Sequence, residues 1–278
     1  MSTPTHELND GQHLPAVGFG THPLKGEDAV VAMTSALEVG YRLLDTAVNY
    51  ENEHDVGEAL RRSGLPREEV QIASKVPGRD HAHDKAVASV EGSLRALRVD
   101  YLDYALIHWP NLGVGLYVEA WQALIDVRER GLVRSIGVCN FTEHHLQRII
   151  DATGVTPAVN QIEVHPYFPQ VPIWEANTRL GIRTEAWSPL GKNPTPFDEP
   201  AVKAAAAAHG VTPAQAVLRW HVQQGTVPLP KSATPSRQRE NLDVFGFALT
   251  DAQIAAITAL GREDGRRFSG DPDTHEEM

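Results

Sequence analysis

One pattern runs the length of this sequence: a short apolar run, a few turn residues, then a longer amphipathic stretch, over and over. Such alternation predicts parallel strands covered by helices, because strands of that kind are buried on both faces while each helix has one face to bury. Eight runs qualify as strands: AVGFG (16–20), YRLLD (41–45), EVQIASK (69–75), LDYALIH (102–108), VRSIGV (133–138), AVNQIEV (158–164), IRTEAW (182–187) and TVPLP (226–230). Between them, stretches such as EDAVVAMTSALEV, HDKAVASVEGSLRALR and YVEAWQALIDVRER carry apolar residues at helical spacing. Several have a capping residue in front or a glycine behind.

Eight strand and helix pairs in 278 residues amount to about 35 residues per unit, the size expected of a closed (β/α)8 TIM barrel in the α/β class. The competing architecture, a doubly wound nucleotide-binding sheet, should carry a glycine fingerprint after its first strand. Here AVGFG is followed by THPLKG, with no G-x-G-x-x-G opening a helix. In HELNDGQHLP, Asn9, Asp10 and Gly11 separate two short arms, which predicts a hairpin capping the N-terminal end of the barrel. No linker divides residues 1–278, so one domain is expected. The closing GREDGRRFSGDPDTHEEM is polar and aperiodic, and reads either as a disordered tail or as a loop lying over the barrel mouth.

Charge narrows the partners. The chain holds 25 basic and 36 acidic residues, a formal net charge of -11, and no basic run able to neutralise a string of phosphates. Nucleic acid and anionic membrane surfaces are therefore excluded as expected partners, and no protein partner is readable. The single cysteine, Cys139, has no mate for an internal disulfide, and the opening MSTPTHELNDGQ lacks the basic start and apolar centre of a signal peptide, so the expectation is a cytoplasmic protein.

In barrels of this kind reactive groups gather at the C-terminal ends of the strands. Three consecutive runs end in titratable side chains: YRLLD in Asp45, EVQIASK in Lys75 and LDYALIH in His108. Tyr50 follows Asp45 in the loop TAVNYENE and can lean over the same mouth. A phenol, with a reference pKa of about 10, is a slow acid at neutral pH, and a lysine beside it is expected to lower that value. A paired aspartate keeps the lysine charged. Neutral His108 is expected to donate a hydrogen bond to a carbonyl oxygen and orient it toward the phenol. Singly, Asp45 reads as a helix cap, Lys75 as a solvated strand end and His108 as a core histidine. Together they read as a site for protonating an oxygen while something else attacks carbon.

The final strand leads into LPKSATPSRQREN, where Thr234 is placed to cap a helix and Pro235 stands at its favoured first position. Lys231, Ser232 and Arg237 surround that N-terminus, which predicts a phosphate site. Trp187 ends the seventh strand, where an indole can stack on a flat ring, and Asn140 and Gln161 bring amide groups to the ends of the fifth and sixth.

At these residues the sequence resembles the aldo-keto reductases. The resemblance covers nearly the whole chain, on LNDGQHLPAVGFGT, GYRLLDTAVNYENE, LIHWP, GLVRSIGVCNF, AVNQIEVHPY, AWSPLG, TPAQAVLRWH and LPKSATPSRQRENLDVF. NYENE, HWPN, VNQIEVHPYFPQ and DPDTHEEM are most similar to the bacterial 2,5-diketo-D-gluconic acid reductases of that family. The resemblance implies that Asp45, Tyr50, Lys75 and His108 form a catalytic tetrad. It also implies an extended NADPH across the mouth, supplying the hydride that the tetrad lacks. Gly20, Thr21 and Asp45 would then lie beside the cofactor, Asn140 and Gln161 at its carboxamide, Trp187 on its nicotinamide, and Ser188 and Leu190 along its pyrophosphate. Lys231, Ser232 and Arg237 would hold its 2′-phosphate, with Glu240 and Asn241 near the adenine. The pocket for a small carbonyl substrate would be lined by His22, Val48, Trp109 and Asn111, with Phe268 as a wall and Arg266 or Arg267 meeting a substrate carboxylate. A keto sugar acid, methylglyoxal and a simple aldehyde all remain open as substrates.

Three departures from the family pattern stand out. Cys139 replaces a serine beside the cofactor amide site, Pro77 stands where a tryptophan often walls the pocket, and Glu51 follows the tyrosine in place of glycine. Two other readings stay on the table. One is a metal-dependent barrel hydrolase using His108, His165, Glu163 and Asp45, although no run shows two closely spaced histidines and Lys75 would repel a cation. The other is a barrel that binds NADPH for regulation and turns over nothing. No metal is expected.

Overall fold

The computed structural model describes residues 3–192 and 194–278. A two-stranded antiparallel hairpin, β1 (Thr5–Glu7) and β2 (His13–Pro15), precedes eight parallel strands: β3 (Phe19–Gly20), β4 (Leu43–Asp45), β5 (Gln71–Val76), β6 (Leu102–Ile107), β7 (Val133–Cys139), β8 (Val159–Glu163), β9 (Arg183–Trp187) and β10 (Val227–Pro228). They pair in strict chain order, each with its sequence neighbour. Among the described residues ten α-helices accompany them: α1 (Gly26–Val39), α2 (Glu53–Ser63), α3 (His83–Leu97), α4 (Tyr117–Glu129), α5 (Glu143–Thr153), α6 (Val171–Arg179), α7 (Pro200–His209), α8 (Pro213–Gln223), α9 (Pro235–Leu242) and α10 (Asp251–Thr258). All eight expected strands are present, and the fold is the expected (β/α)8 arrangement with its hairpin.

The seam between the first and last strands shows why those two are short. Gly18 and Gly20 donate backbone hydrogen bonds to the carbonyls of Pro228 and Pro230 at 3.1 and 3.2 Å. The prolines have no N–H to return, so bonding runs one way and a full ladder never forms. The glycines permit the approach: a Cβ at Gly18 would stand 2.5 Å from the Leu229 side chain, and one at Gly20 2.9 Å from the Leu229 carbonyl oxygen.

The hairpin plugs the opposite end. Asn9 donates to the Pro157 carbonyl and Ser135, near the start of β7, donates to Asp10. Leu8 and Leu14 join Leu43, Ala73, Tyr104 and Leu106 in a buried cluster inside the barrel. A second apolar layer lies between sheet and helices, where α1 presents Ala29, Met33, Ala36 and Leu37 and α4 presents Trp121, all fully buried. With its floor sealed and its strands fixed in register, the barrel is open for chemistry only at the C-terminal ends of β3–β10. Among the described residues, no helix is long and apolar enough to cross a membrane.

Candidate active site

The register of the strands brings the expected residues together. Asp45 closes β4, Lys75 lies one residue from the end of β5, and His108 follows β6. Lys75 is 2% exposed, which an amine tolerates only when paired. Its Nζ donates to both carboxylate oxygens of Asp45 at 2.8 Å and to the Thr46 carbonyl at 2.7 Å. Burial opposes the charge, but Asp45, helped by Tyr50, outweighs it and holds the amine above its usual range. Tyr50, in a short 3-10 turn (Val48–Tyr50), sets its hydroxyl 3.5 Å from Nζ.

The phenol does not follow the sequence expectation. Burial pushes Tyr50 up to about 12, and the lowering by Lys75 offsets only part of that rise, opposed as it is by Asp45. At 3.5 Å the ammonium is too far to win against desolvation.

Behind the pair lies a further carboxyl. Gln161, on β8, donates from Nε2 to Asp45 at 2.8 Å and to Glu185, on β9, at 2.9 Å. Burial pushes Glu185 up to about 7, and Asp45 adds to the rise while Gln161 and Lys75 resist it. This shared amide leaves only Oε1 of Gln161 for a ligand. Asn140, in the left-handed region at φ 61°, is held at both ends: Nδ2 donates to the His108 carbonyl and Oδ1 accepts from Trp187 Nε1.

A cavity of about 590 Å³ opens above these groups. Its lining includes Gly20, Thr21, His22, Asp45, Tyr50, His108 and Trp109 on one side. Asn140, Gln161, Trp187, Ser188, Leu190, Lys231 and Phe268, also expected, line the rest. Sequence reasoning missed Lys192, Thr195 and Phe197, which follow β9, and Pro23, Leu229 and Pro230. Lys192 was within reach of a strand-end search, since it lies just past the SPLG turn; the others are apolar or neutral wall residues with no chemical signal.

Other expected residues lie elsewhere. Val48 and Asn111 do not line the cavity: Asn111 is fully buried and donates to the backbone of the C-terminal segment. Cys139 is 1% exposed inside the barrel, where burial raises its thiol well above the usual range. Lys75 forms the floor beneath the lining. Ser232 and Arg237 stand at the start of α9 and Glu240 and Asn241 in its last turn, where Glu240 accepts from Thr212; none of the four lines the cavity. The side chain of Thr234 makes no capping bond; Ser232 Oγ accepts from the Thr234 N–H instead. Gln238, fully buried, fixes the start of α9 by donating to the Ser232 and Ala32 carbonyls.

The segment after α10 crosses the mouth. Phe268 packs edge-on against Trp187 with ring centres 5.1 Å apart, and His275 lies against Trp109 at 4.2 Å. The arginines offered for a substrate carboxylate lie against other parts of the protein and do not line the cavity. Arg266 donates to the Gly270 carbonyl and lies over the Phe168 ring, while Arg267 lies over Tyr167. Glu51 also points away: it adopts φ 54° and pairs with Lys25 at 2.6 Å in solvent.

The four residues of the metal reading are already spoken for. Asp45 holds Lys75, His165 meets Glu163 at 2.9 Å, and His108 Nδ1 lies 2.8 Å from Glu277. Among the described residues no group of three or more His, Cys, Asp or Glu side chains is arranged to hold a metal ion.

Comparison with known families matches residues 16–196 and 197–262 to the aldo/keto reductase family. The chain belongs to that family. It is 56% identical over 275 residues to 2,5-diketo-D-gluconic acid reductase B of Corynebacterium sp. (strain SHS752001), covering 99% of each protein. It is 44% identical over 275 residues to methylglyoxal reductase DkgA of Escherichia coli (strain K12), covering 98% of each. Among solved structures, Bombyx mori aldo-keto reductase in complex with NADP superposes with a TM-score of 0.89 at 33% identity, covering 96% of this chain and 95% of that one. The protein is an oxidoreductase of this family.

Proposed function

We propose that this protein uses NADPH to reduce a small aldehyde or ketone to the alcohol, with Tyr50 as proton donor. The candidate substrates are a keto sugar acid such as 2,5-diketo-D-gluconate, or methylglyoxal, the compounds named for two of its relatives. The observation that carries the reading is the buried Lys75–Asp45 pair with the Tyr50 hydroxyl beside it on the cavity floor.

The chain's own residues fit the cofactor. The cavity is lined by Trp187, the turn at Ser188–Lys192 and Leu229–Lys231, with two lysines among these for an anionic ligand. At its rim, the first turn of α9 offers unpaired amide donors flanked by Lys231 and Arg237, which suits a phosphate. NADPH, when bound, would supply a hydride to the carbonyl carbon.

The remaining steps belong to the protein. With its value pushed up to about 12, Tyr50 holds its proton throughout the neutral range. A carbonyl oxygen that gains the electron pair of its C=O bond becomes an alkoxide, a stronger base than a phenolate, and takes the proton from Tyr50 Oη. Lys75 faces the phenolate that results and stabilises it, while Asp45 keeps Lys75 charged. Trp109, Phe268 and His22 wall off water around the reacting carbon.

A spectrophotometric panel tests the reading. NADPH oxidation is expected with at least one of 2,5-diketo-D-gluconate, methylglyoxal and a simple aldehyde. NADH is expected to bind at least about tenfold more weakly, because charge-assisted bonds from Lys231 and Arg237 need the 2′-phosphate. A folded protein that binds NADPH and oxidises none of it across the panel overturns the assignment.

A further inference from the structure

The C-terminal segment does more than cover the mouth. Glu277 inserts its side chain beside His108, bringing Oε1 to 2.8 Å from Nδ1. The approach is that of an ion pair, set off the direction of an aligned hydrogen bond, and Nδ1 is buried with no other partner.

The seat for Glu277 is built from three places in the chain. Asn49 Nδ2 donates to Oε1 at 2.6 Å, and its amide orientation is fixed because Asn49 Oδ1 accepts from Arg79. Asn111 Nδ2 donates to the Glu277 carbonyl at 2.6 Å. Gly78 completes the seat by having no side chain, since a Cβ there would overlap the Glu277 carbonyl oxygen. The C-terminal segment thus fills the space that a side chain at Gly78, the residue next to the departure Pro77, would take.

We propose that Glu277 is a positioning residue for His108, keeping the ring's proton on Nδ1 and turning Nε2 toward the substrate. Two acceptors do not sit 2.8 Å apart, so one of the pair carries a proton. Burial alone would raise the Glu277 carboxyl, but His108, Asn49 and Arg79 outweigh it and hold the group below its ordinary range. The proton therefore belongs to Nδ1, and Nε2 is the nitrogen left for the cavity that His108 lines. In this arrangement a neutral His108 offers a lone pair at Nε2. It becomes a donor to a carbonyl oxygen only as an imidazolium, whose charge the carboxylate balances. The role in turnover rests on the carbonyl-reduction reading; the tautomer does not.

Two measurements on the full-length protein decide it. In protein labelled with 15N-histidine, with the His108 signals identified through their loss in His108→Asn, the wild type is expected to show a protonated Nδ1. Glu277→Ala is expected to shift His108 toward the tautomer protonated at Nε2. If the wild type already carries that tautomer, the proposal is wrong, whatever the enzyme reduces. In steady state, Glu277→Ala is expected to lower kcat about tenfold or more with NADPH affinity and Tm unchanged, and Glu277→Asp to restore part of it. Unchanged kcat in Glu277→Ala also overturns the proposal, whereas a wild type inactive on every carbonyl would refute the functional reading and leave the tautomer test standing.

Discussion

Two regions of this molecule meet at His108 and are built in opposite ways. The strand-end network of Asp45, Lys75, Gln161 and Glu185 comes from four strands of one sheet, so its geometry is set by strand register and its members are all nearly inaccessible. The seat of Glu277 is assembled from loops and an irregular segment, through single bonds such as that between Asn49 and Glu277, 228 residues apart. The first arrangement cannot move without unpairing the barrel. The second can release one bond at a time, and segments so held are the ones that open locally. On the carbonyl-reduction reading, the support of the proposed proton donor lies on the rigid part and the proposed positioning carboxylate on the releasable part, so the segment could open without disturbing the Lys75–Asp45 pair beside Tyr50.

The rigid half of this comparison carries the largest expected effects. Tyr50→Phe removes the proposed proton donor and only one hydroxyl, so kcat is expected to fall roughly 10²- to 10⁴-fold while a fluorescence titration gives an NADPH Kd close to wild type. Retained turnover in Tyr50→Phe would break the assignment. Lys75→Met leaves the Asp45 carboxylate buried without its counter-charge, and urea unfolding should show a loss of roughly 3 to 5 kcal/mol.

Glu185 tests how far that network extends. Its folded value, about 7, lies above that of an exposed glutamate, so the native state binds a proton more tightly than the unfolded chain. Stability from this group is therefore fully present below about pH 4.5 and is lost as pH rises through about 7, a change of roughly 3 kcal/mol. Glu185→Gln keeps the shape and an acceptor for Gln161 but removes the titration. The urea midpoint of the wild type is expected to fall relative to the variant across that window. Parallel pH profiles would show that Glu185 is ionised in both states.

The contrast also explains what can be read from sequence. Strand period and turn residues are local signals, so the eight strands are legible and only their ends shift, most at β3 and β10, where glycines and prolines limit pairing. Because register then follows from topology, the order of the strands is enough to place Asp45, Lys75 and His108 together. Desolvation is not a local property, and so the lysine alone points the Tyr50 shift in the wrong direction. The seat of Glu277 leaves no trace in any single stretch. Val48 and Asn111, expected in the pocket from their loops, fall outside it, Asn111 because the C-terminal segment claims its amide. Arg266 and Arg267 look free in the sequence because the rings of Phe168 and Tyr167 that they cover are brought to them by tertiary structure, and because the local bond from Arg266 to the Gly270 carbonyl lies in an aperiodic stretch.

Removing the releasable half is a direct test of its share. Truncation after Gly261 takes away Phe268, Glu277 and the contact of His275 with Trp109, but no strand or helix of the barrel. Catalytic efficiency toward the carbonyl is expected to drop about tenfold or more while the NADPH Kd changes by less than about threefold. Equal losses in both would mean that the segment supports the cofactor and not the substrate.

The smallest expected effect concerns the other carboxylate near the mouth, Glu51, and it sharpens the comparison by failing to matter. Glu51 stands one residue after Tyr50, far closer in sequence than Glu277, yet its side chain pairs with Lys25 in solvent, where an ion pair contributes little and salt screens it. Glycine at this position would relieve the left-handed backbone at φ 54°. The same glycine would also loosen the unfolded chain and forfeit the ion pair, terms of opposite sign and similar size. Glu51→Gly is therefore expected to leave Tm within about 2 °C and kcat/KM within about twofold of wild type. If instead this variant changed kcat as Glu277→Ala is expected to, proximity along the chain would outweigh contact in space, and the division between the two regions would collapse.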